Sequence, residues 1–224
     1  MGTTKNNFVR ESWSQCGEDL IIDFLFQQLN IEKPSYIDIG AHHPSFINNT
    51  FLFYRKGARG INIEPDPALL EEFKLKRKED INLGIGIGEE EATTDFFIMN
   101  EPTLNTFLRE EAERMVNENS NAEIREIKKI RIRLLQDVIN EYHNGKFPDL
   151  LSIDVEGLDE VILRSVNFEN DPPKVMCVET LTFSSIGKGK KKTDLIEFIK
   201  GKGYMVYADT YINTIFVREQ LYLK

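Results

Sequence analysis

Tyr36-Ile37-Asp38-Ile39-Gly40-Ala41-His42-His43, followed by Ile61-Asn62-Ile63-Glu64-Pro65, is the pair of segments on which the reading of this chain turns. Each has the composition of a short buried strand, and each runs into a glycine or an acidic residue. A glycine at the end of a first strand lets the backbone turn sharply and approach a ligand. A carboxylate at the end of the second strand accepts hydrogen bonds from both hydroxyls of a ribose. Together they predict a nucleoside-containing cofactor at the carboxyl edge of a parallel sheet. The plainer alternative is a βαβ unit in which Glu64 merely begins a loop.

The loop chemistry separates the possible cofactors. A dinucleotide site calls for G-x-G-x-x-G, so that backbone amides reach a pyrophosphate. Here Gly40 stands alone, with His42 at the second glycine position and Ser45 at the third. S-adenosylmethionine has a ribose but no phosphate. It needs the acidic residue and one close backbone approach, and the sequence favours it.

The 224 residues fit one domain with a substantial core. Hydrophobic residues make up 41% and charged residues 29%, as in soluble globular proteins. A net charge of −9 opposes binding to nucleic acid or to an anionic membrane over any large face. Cys16 and Cys177 form no metal-spaced pair, and Cys177 lies in an apolar run as a buried thiol. A reducing, cytoplasmic setting is the expectation. The first ten residues have no apolar signal region, and no run reaches transmembrane length.

Strand-like and helix-like stretches alternate, which predicts an α/β sheet with helices on its faces. Helical spacing covers Asp19 to Leu29. Strands are expected at Ser35–Gly40, Gly60–Glu64 and Ile81–Ile87, with a helix from Pro67 to Lys78 capped by Asp66. Further strands are expected at Asp149–Val155 and Lys174–Glu179, with helix at Val161–Ser165 between them. A helix at Thr193–Lys200 and closing strands at Tyr204–Ala208 and Asn213–Val217 complete the reading. Residues 93–135 read as an insertion at the sheet edge within a single domain. It holds strands at Asp95–Met99 and Lys129–Leu134 and a charged helix at Phe107–Ser120.

Taken together, Ser14-Gln15-Cys16-Gly17-Glu18-Asp19, the Asp38–His43 loop, Asn49-Thr50, Gly60–Pro65, Glu101–Phe107 and Ser152-Ile153-Asp154-Val155-Glu156-Gly157 resemble the FkbM family of S-adenosylmethionine-dependent methyltransferases. The matching pieces run from about residue 14 to 181. The resemblance implies a Rossmann-like class I methyltransferase fold, a mostly parallel sheet with an antiparallel last strand. It also implies O-methylation, often of sugars in polysaccharide, glycan or natural-product pathways. It suggests that the segment containing Gln15 and Asp19 folds over the cofactor; alternatively, Ser14 caps the first helix. One departure stands out: His42-His43-Pro44 follows Gly40-Ala41 where many such enzymes carry more glycines, which makes the loop stiffer and bulkier.

Within this frame Glu64 is the first candidate for the ribose, and Gly40 supplies the backbone approach. Asp38 either bonds the cofactor's ammonium or organises the Gly40 turn. Asn49 either reaches the methionine carboxylate or caps a helix. Ile87, within Gly86-Ile87-Gly88, either lies against adenine or belongs to a plain strand exit. Asp154, Glu156 and Glu179 are expected to converge at one sheet edge, to deprotonate a hydroxyl or to hold a divalent cation. His42 and His43 are rival bases. Asn105 is a candidate acceptor contact, as is Glu179. Lys190, in the basic loop Lys188–Lys192, is expected either to face an anionic, small-molecule or carrier-linked saccharide or to sit in a solvated turn. The competing functions are a Rossmann-type nucleotide-dependent oxidoreductase and a non-catalytic cofactor-binding module.

Overall fold

The structure, a computed structural model, describes residues 9–155, 157–169, 171–182 and 189–223. The chain alternates helix and strand: α1 (Glu18–Gln28), β1 (Tyr36–Ile39), α2 (Phe51–Arg55), β2 (Gly60–Ile63), α3 (Pro67–Lys76) and β3 (Ile81–Leu83). Next come β4 (Gly86–Gly88), β5 (Ala92–Met99), α4 (Arg109–Glu118), β6 (Ile124–Leu134) and α5 (Leu135–Tyr142). The remainder is β7 (Leu150–Ile153), α6 (Asp159–Ser165), β8 (Val175–Glu179), α7 (Thr193–Gly201), β9 (Tyr204–Asp209), β10 (Asn213–Arg218) and α8 (Glu219–Tyr222).

Seven strands form the main sheet in the order β3-β2-β1-β7-β8-β10-β9. The pairings from β3 to β8 are parallel, and β10 runs antiparallel to both its neighbours. This is the α/β, Rossmann-like arrangement that the sequence predicts, with its antiparallel last strand.

Alternation along each strand divides the side chains between two cores. Ile37, Ile39, Leu151, Ile153, Met176, Val178 and Phe216 pack with α5, α6 and α7. Tyr36, Leu150, Val175, Cys177, Ile215 and Val217 face the opposite way, against Ile22, Leu25 and Phe26 of α1 and Phe53 of α2. With both faces covered, the strands read as continuous apolar runs. Each fully buried Ile, Leu or Phe contributes roughly 1.5–3 kcal/mol, so a charge placed at Ile153 would cost more than any exposed substitution.

Two sequence expectations need correction. Ile81–Ile87 is not one strand. The chain leaves the main sheet after Leu83, and Gly86–Gly88 joins a separate three-stranded sheet in the order β4-β6-β5. A Cβ at Gly86 would lie 2.6 Å from the side-chain ends of Ile132 and Phe107, which pack over the bare backbone there. Its strands are longer than expected, spanning Ala92–Met99 and Ile124–Leu134. The many charges of β6 hide a strand whose inward residues Ile130 and Ile132 are buried. The sequence reading gave no bounds for α2 and α5.

Candidate active site

The carboxyl ends of β1, β2, β7 and β8 open into a cleft of about 430 Å³, walled on the far side by residues Pro102–Phe107 beside the second sheet. Crevices outside the carboxyl ends of parallel strands are where this class of sheet binds ligands.

At the β1–β2 end, Gly40 has φ +75°, and a Cβ there would lie 1.8 Å from the carbonyl oxygen of Asp154. Only glycine fits. The amides of Gly40 and Ala41 both donate to the carbonyl of Ile63, at 3.0 and 3.1 Å. They are turned into the sheet and are not presented to a ligand. Glu64 is buried on the cleft wall. Its Oε2 accepts the amide of His42 and its Oε1 that of Asp66, each at 2.8 Å. Burial pushes its carboxyl up to about 8 despite those two bonds. A carboxylate has about four acceptor positions, so each oxygen retains capacity toward the cleft.

Asp38 lines the cleft and also organises the loop after β1. Its Oδ2 accepts Thr50 Oγ1 at 2.8 Å and Asn48 Nδ2 at 3.3 Å, and Asn48 also donates to the carbonyl of Ala41. Burial raises its carboxyl above the usual range. Behind it lies the fully buried Arg77, which the sequence reading missed. Its guanidinium donates to Asn48 Oδ1 and Thr50 Oγ1 at 3.0 Å, Tyr36 OH at 2.8 Å and Asp80 Oδ2 at 2.9 Å. The loop bearing His42 is thereby tied to β1 and α3.

At the β7–β8 end, one ligand oxygen each from Asp154, Asp159 and Glu179 lies within 4.8 Å of the others. Asp154 and Glu179 were expected there. Asp159, at the start of α6, was not, because only the turn after β7 brings it back. Glu156 lies outside the described residues. Lys192 reaches Asp159 at 3.2 Å and Glu179 at 3.4 Å. Burial and the neighbouring Asp159 push the Glu179 carboxyl upward. Such oxygens have the chemistry of a hard-cation site, yet the Lys192 ammonium already offsets part of their charge. Beside Glu179, its cross-strand partner Asn213 also lines the cleft.

Gln15, Asn49 and Asn105 all line the cleft, as expected. Asn49 is not a helix cap; its Nδ2 donates to Ser152 Oγ at 3.3 Å. Asn105 ties the second sheet to α3, accepting from the Met99 amide and donating to Asp66 at 3.0 Å. Asp19 instead knots the segment before α1, accepting from Ser12, the Trp13 amide and Ser14.

Three of the candidate residues do not line the cleft. His43 does not line the cleft. It faces α3, with Nε2 3.2 Å from Glu72. Ile87 is buried in the main core, because its strand belongs to the second sheet. Lys190 is exposed, next to the cleft-lining Gly189 and Thr182, and matches the solvated-turn alternative, while Lys191 pairs with Asp209 and Lys192 with Asp159 and Glu179. Lys188 lies outside the described residues. His42 does line the cleft, and burial lowers its ring below the usual histidine value.

Comparison with known proteins follows this geometry. Residues 38–206 match the model of the methyltransferase FkbM domain. No curated protein matches the chain. Among solved structures, a TehB-like SAM-dependent methyltransferase from Corynebacterium glutamicum is similar at 12% identity and TM-score 0.45, over 90% of this chain and 87% of that one. A precorrin-6y C5,15-methyltransferase from Geobacter metallireducens is similar at 14% identity and TM-score 0.41, over 95% and 94%. An O-methyltransferase from Bacillus cereus in complex with SAH is similar at 12% identity and TM-score 0.41, over 94% and 83%.

Proposed function

The chain belongs to the FkbM family of S-adenosylmethionine-dependent methyltransferases, and we propose that it methylates a hydroxyl of a saccharide or glycan-pathway intermediate. The observation that carries the reading is Glu64. It is a buried carboxylate on the cleft wall beside the Gly40 turn, anchored by two backbone amides and with lone pairs left for a ribose diol. The same turn disfavours the oxidoreductase reading, since the Gly40 and Ala41 amides are spent on Ile63 and do not face a pyrophosphate.

The residues fit the cofactor. Glu64 would hold the ribose, and Gln15 and Asn49 lie on the wall for the polar end of its amino-acid portion. When bound, S-adenosylmethionine supplies a methyl group already activated on a positive sulfonium. What remains for the protein is alignment, which supplies up to roughly 7–11 kcal/mol, and removal of one proton. Asp154, at the end of β7 between the two ends of the cleft, takes the proton of the acceptor hydroxyl as its oxygen gains the methyl group. His42 is the second candidate, because burial keeps its ring neutral near pH 7. Lys192 takes the charge-balancing place beside Asp159 and Glu179 that a divalent cation would otherwise fill. The charge of −9 opposes nucleic acid as the acceptor, and no helix among the described residues is long and apolar enough to cross a membrane.

Incubation with S-adenosylmethionine labelled in its methyl group, against a saccharide panel, tests this reading. Label on an acceptor oxygen, with S-adenosylhomocysteine released, is the expected result. A chain that binds S-adenosylhomocysteine yet labels nothing is a binding module. A chain that binds NADH in its place is an oxidoreductase.

A further inference from the structure

Resting on that methyltransferase reading, we propose that Glu18 is a positioning residue for the cofactor. Its carboxylate fastens the segment before α1, which carries Gln15, to the β9–β10 turn, which carries Tyr211. Two walls of the cleft are then held in one register, and the turn sets how Gln15 meets the amino-acid end of S-adenosylmethionine.

The first observation is the joint itself. Glu18 opens α1 and is 0% exposed. It does not line the cleft, yet each of its partners is in the lining or next to it. Its Oε2 accepts the amide of Cys16 at 2.8 Å, beside the cleft-lining Gln15. Its Oε1 accepts Thr210 Oγ1 at 2.7 Å and Asn213 Nδ2 at 3.2 Å, from residues 192 and 195 positions away. Between those two donors lie Tyr211 and Ile212, which line the cleft with Asn213. Ser14–Gly17 belongs to no helix or strand. Asp19 knots that segment to itself, through Ser12, Trp13 and Ser14. Glu18 is what ties it to the far end of the chain.

The second observation is the chemistry of the tie. All three partners are neutral donors, and a carboxylate is acceptor-only with capacity on both oxygens. Burial acts to raise the Glu18 carboxyl, but the bonds from Thr210, the Cys16 amide and Asn213 hold it below the ordinary value. It is therefore ionised near pH 7. A buried charge is a costly way merely to join two segments, since neutral groups would do so without desolvating an ion. What it adds is strength and direction, because hydrogen bonds to a charged acceptor are the stronger kind.

The third observation is strain in the turn. Tyr211 has φ +77°, a region that bulky residues rarely adopt. Its amide is held by Asp209 Oδ1 at 2.7 Å, and the Thr210 amide closes the turn on the carbonyl of Asn213 at 2.9 Å. Strain of this kind persists where the surroundings over-determine it, and it gathers at functional sites. A turn so fixed passes its position on to Glu18 and from there to the Cys16 amide.

Calorimetry with S-adenosylhomocysteine on the full chain tests the proposal. Glu18→Ala is expected to weaken binding about tenfold, and Thr210→Val, which changes only the turn, about threefold. Gln15→Ala, which should also weaken binding, completes a double-mutant cycle. Since Glu18 acts through Gln15, the double variant should bind little worse than the weaker single variant, far short of the product of the two losses. A tie that serves stability alone would lower the urea midpoint and leave these affinities untouched. Wild-type affinity in folded Glu18→Ala or in Gln15→Ala overturns the proposal, and so do losses that multiply in the double variant. If Glu18→Ala does not fold, Thr210→Val decides. Wild-type affinity there, or a loss that multiplies with that of Gln15→Ala, overturns the proposal equally. Failure of the wild-type chain to bind S-adenosylhomocysteine would overturn the methyltransferase reading and this inference together. Wild-type binding that none of these substitutions disturbs would overturn this inference alone.

Discussion

At the β1–β2 end of the cleft Glu64, Asp38, Asn48 and Arg77 meet one another or the backbone through hydrogen bonds of 2.8–3.3 Å. At the β8–β10 end Asn213 Oδ1 is a buried acceptor with no partner among the described residues, and Lys192 is shared by Asp159 and Glu179. Both ends belong to the same sheet edge, so the difference lies in what is completed within the chain. The first end is a preorganised seat whose ligand adds to bonds already made. The second leaves Asn213 Oδ1 without a partner among the described residues.

The largest effect expected from breaking this contrast is at Asp154, where the two ends meet. Asp154→Asn keeps shape but removes basicity, and kcat should fall by about 10²–10⁴-fold. Affinity for S-adenosylhomocysteine by calorimetry should stay near that of the wild type. Normal turnover in this variant would pass the role of base to His42. A pH–rate limb that survives the substitution would carry the same message.

Next comes the seat's support. Arg77→Met removes a guanidinium that is 0% exposed and strands Asp80, its partner at 2.8 Å. Breaking a buried pair costs roughly 3–5 kcal/mol, measurable by urea denaturation. A loss under about 1 kcal/mol would mean that the network does not hold the seat. The smallest effect belongs to Lys191→Ala. Its ion pair with Asp209 is partly exposed, and pairs of that kind contribute about 0–1 kcal/mol. Stability and kcat/KM should both be nearly unchanged, whereas a large rise in KM would restore the basic loop to the acceptor site.

The seat was legible in the sequence and its surroundings were less so. Gly40, Glu64, Asp154 and Glu179 sit at the ends of apolar strands, and strand order alone carries strand ends to one edge. Asp159, Lys192 and Asn213 come together only through the turn after β7 and the pairing of β10 with β8, which no local pattern encodes. Ile81–Ile87 reads as one strand because Ile81, Leu83, Ile85 and Ile87 recur at every second position, while the break at Gly84 and Ile85 depends on a second sheet drawing Gly86 away. No local pattern distinguishes Arg77 from Lys74, Lys76 and Lys78 beside it. Its burial follows from Tyr36, Asn48 and Asp80, which are 41, 29 and 3 residues away in the chain.

The central claim is that Glu64 holds the cofactor ribose, and its titration offers a direct measurement. In the free chain its carboxyl sits at about 8, above the ordinary value of 4.5. For stability, this group's contribution is complete below the unfolded value and is lost as pH rises through about 8. Ribose hydroxyls donate to the charged form, so binding is favoured where Glu64 is ionised. Calorimetric affinity for S-adenosylhomocysteine should therefore rise from pH 6 to pH 8, by up to about tenfold per unit, and then level off. Glu64→Gln should flatten that rise and weaken binding at pH 8 by about tenfold or more. A folded Glu64→Gln chain that binds S-adenosylhomocysteine as the wild type does, with the same pH profile, would contradict the account.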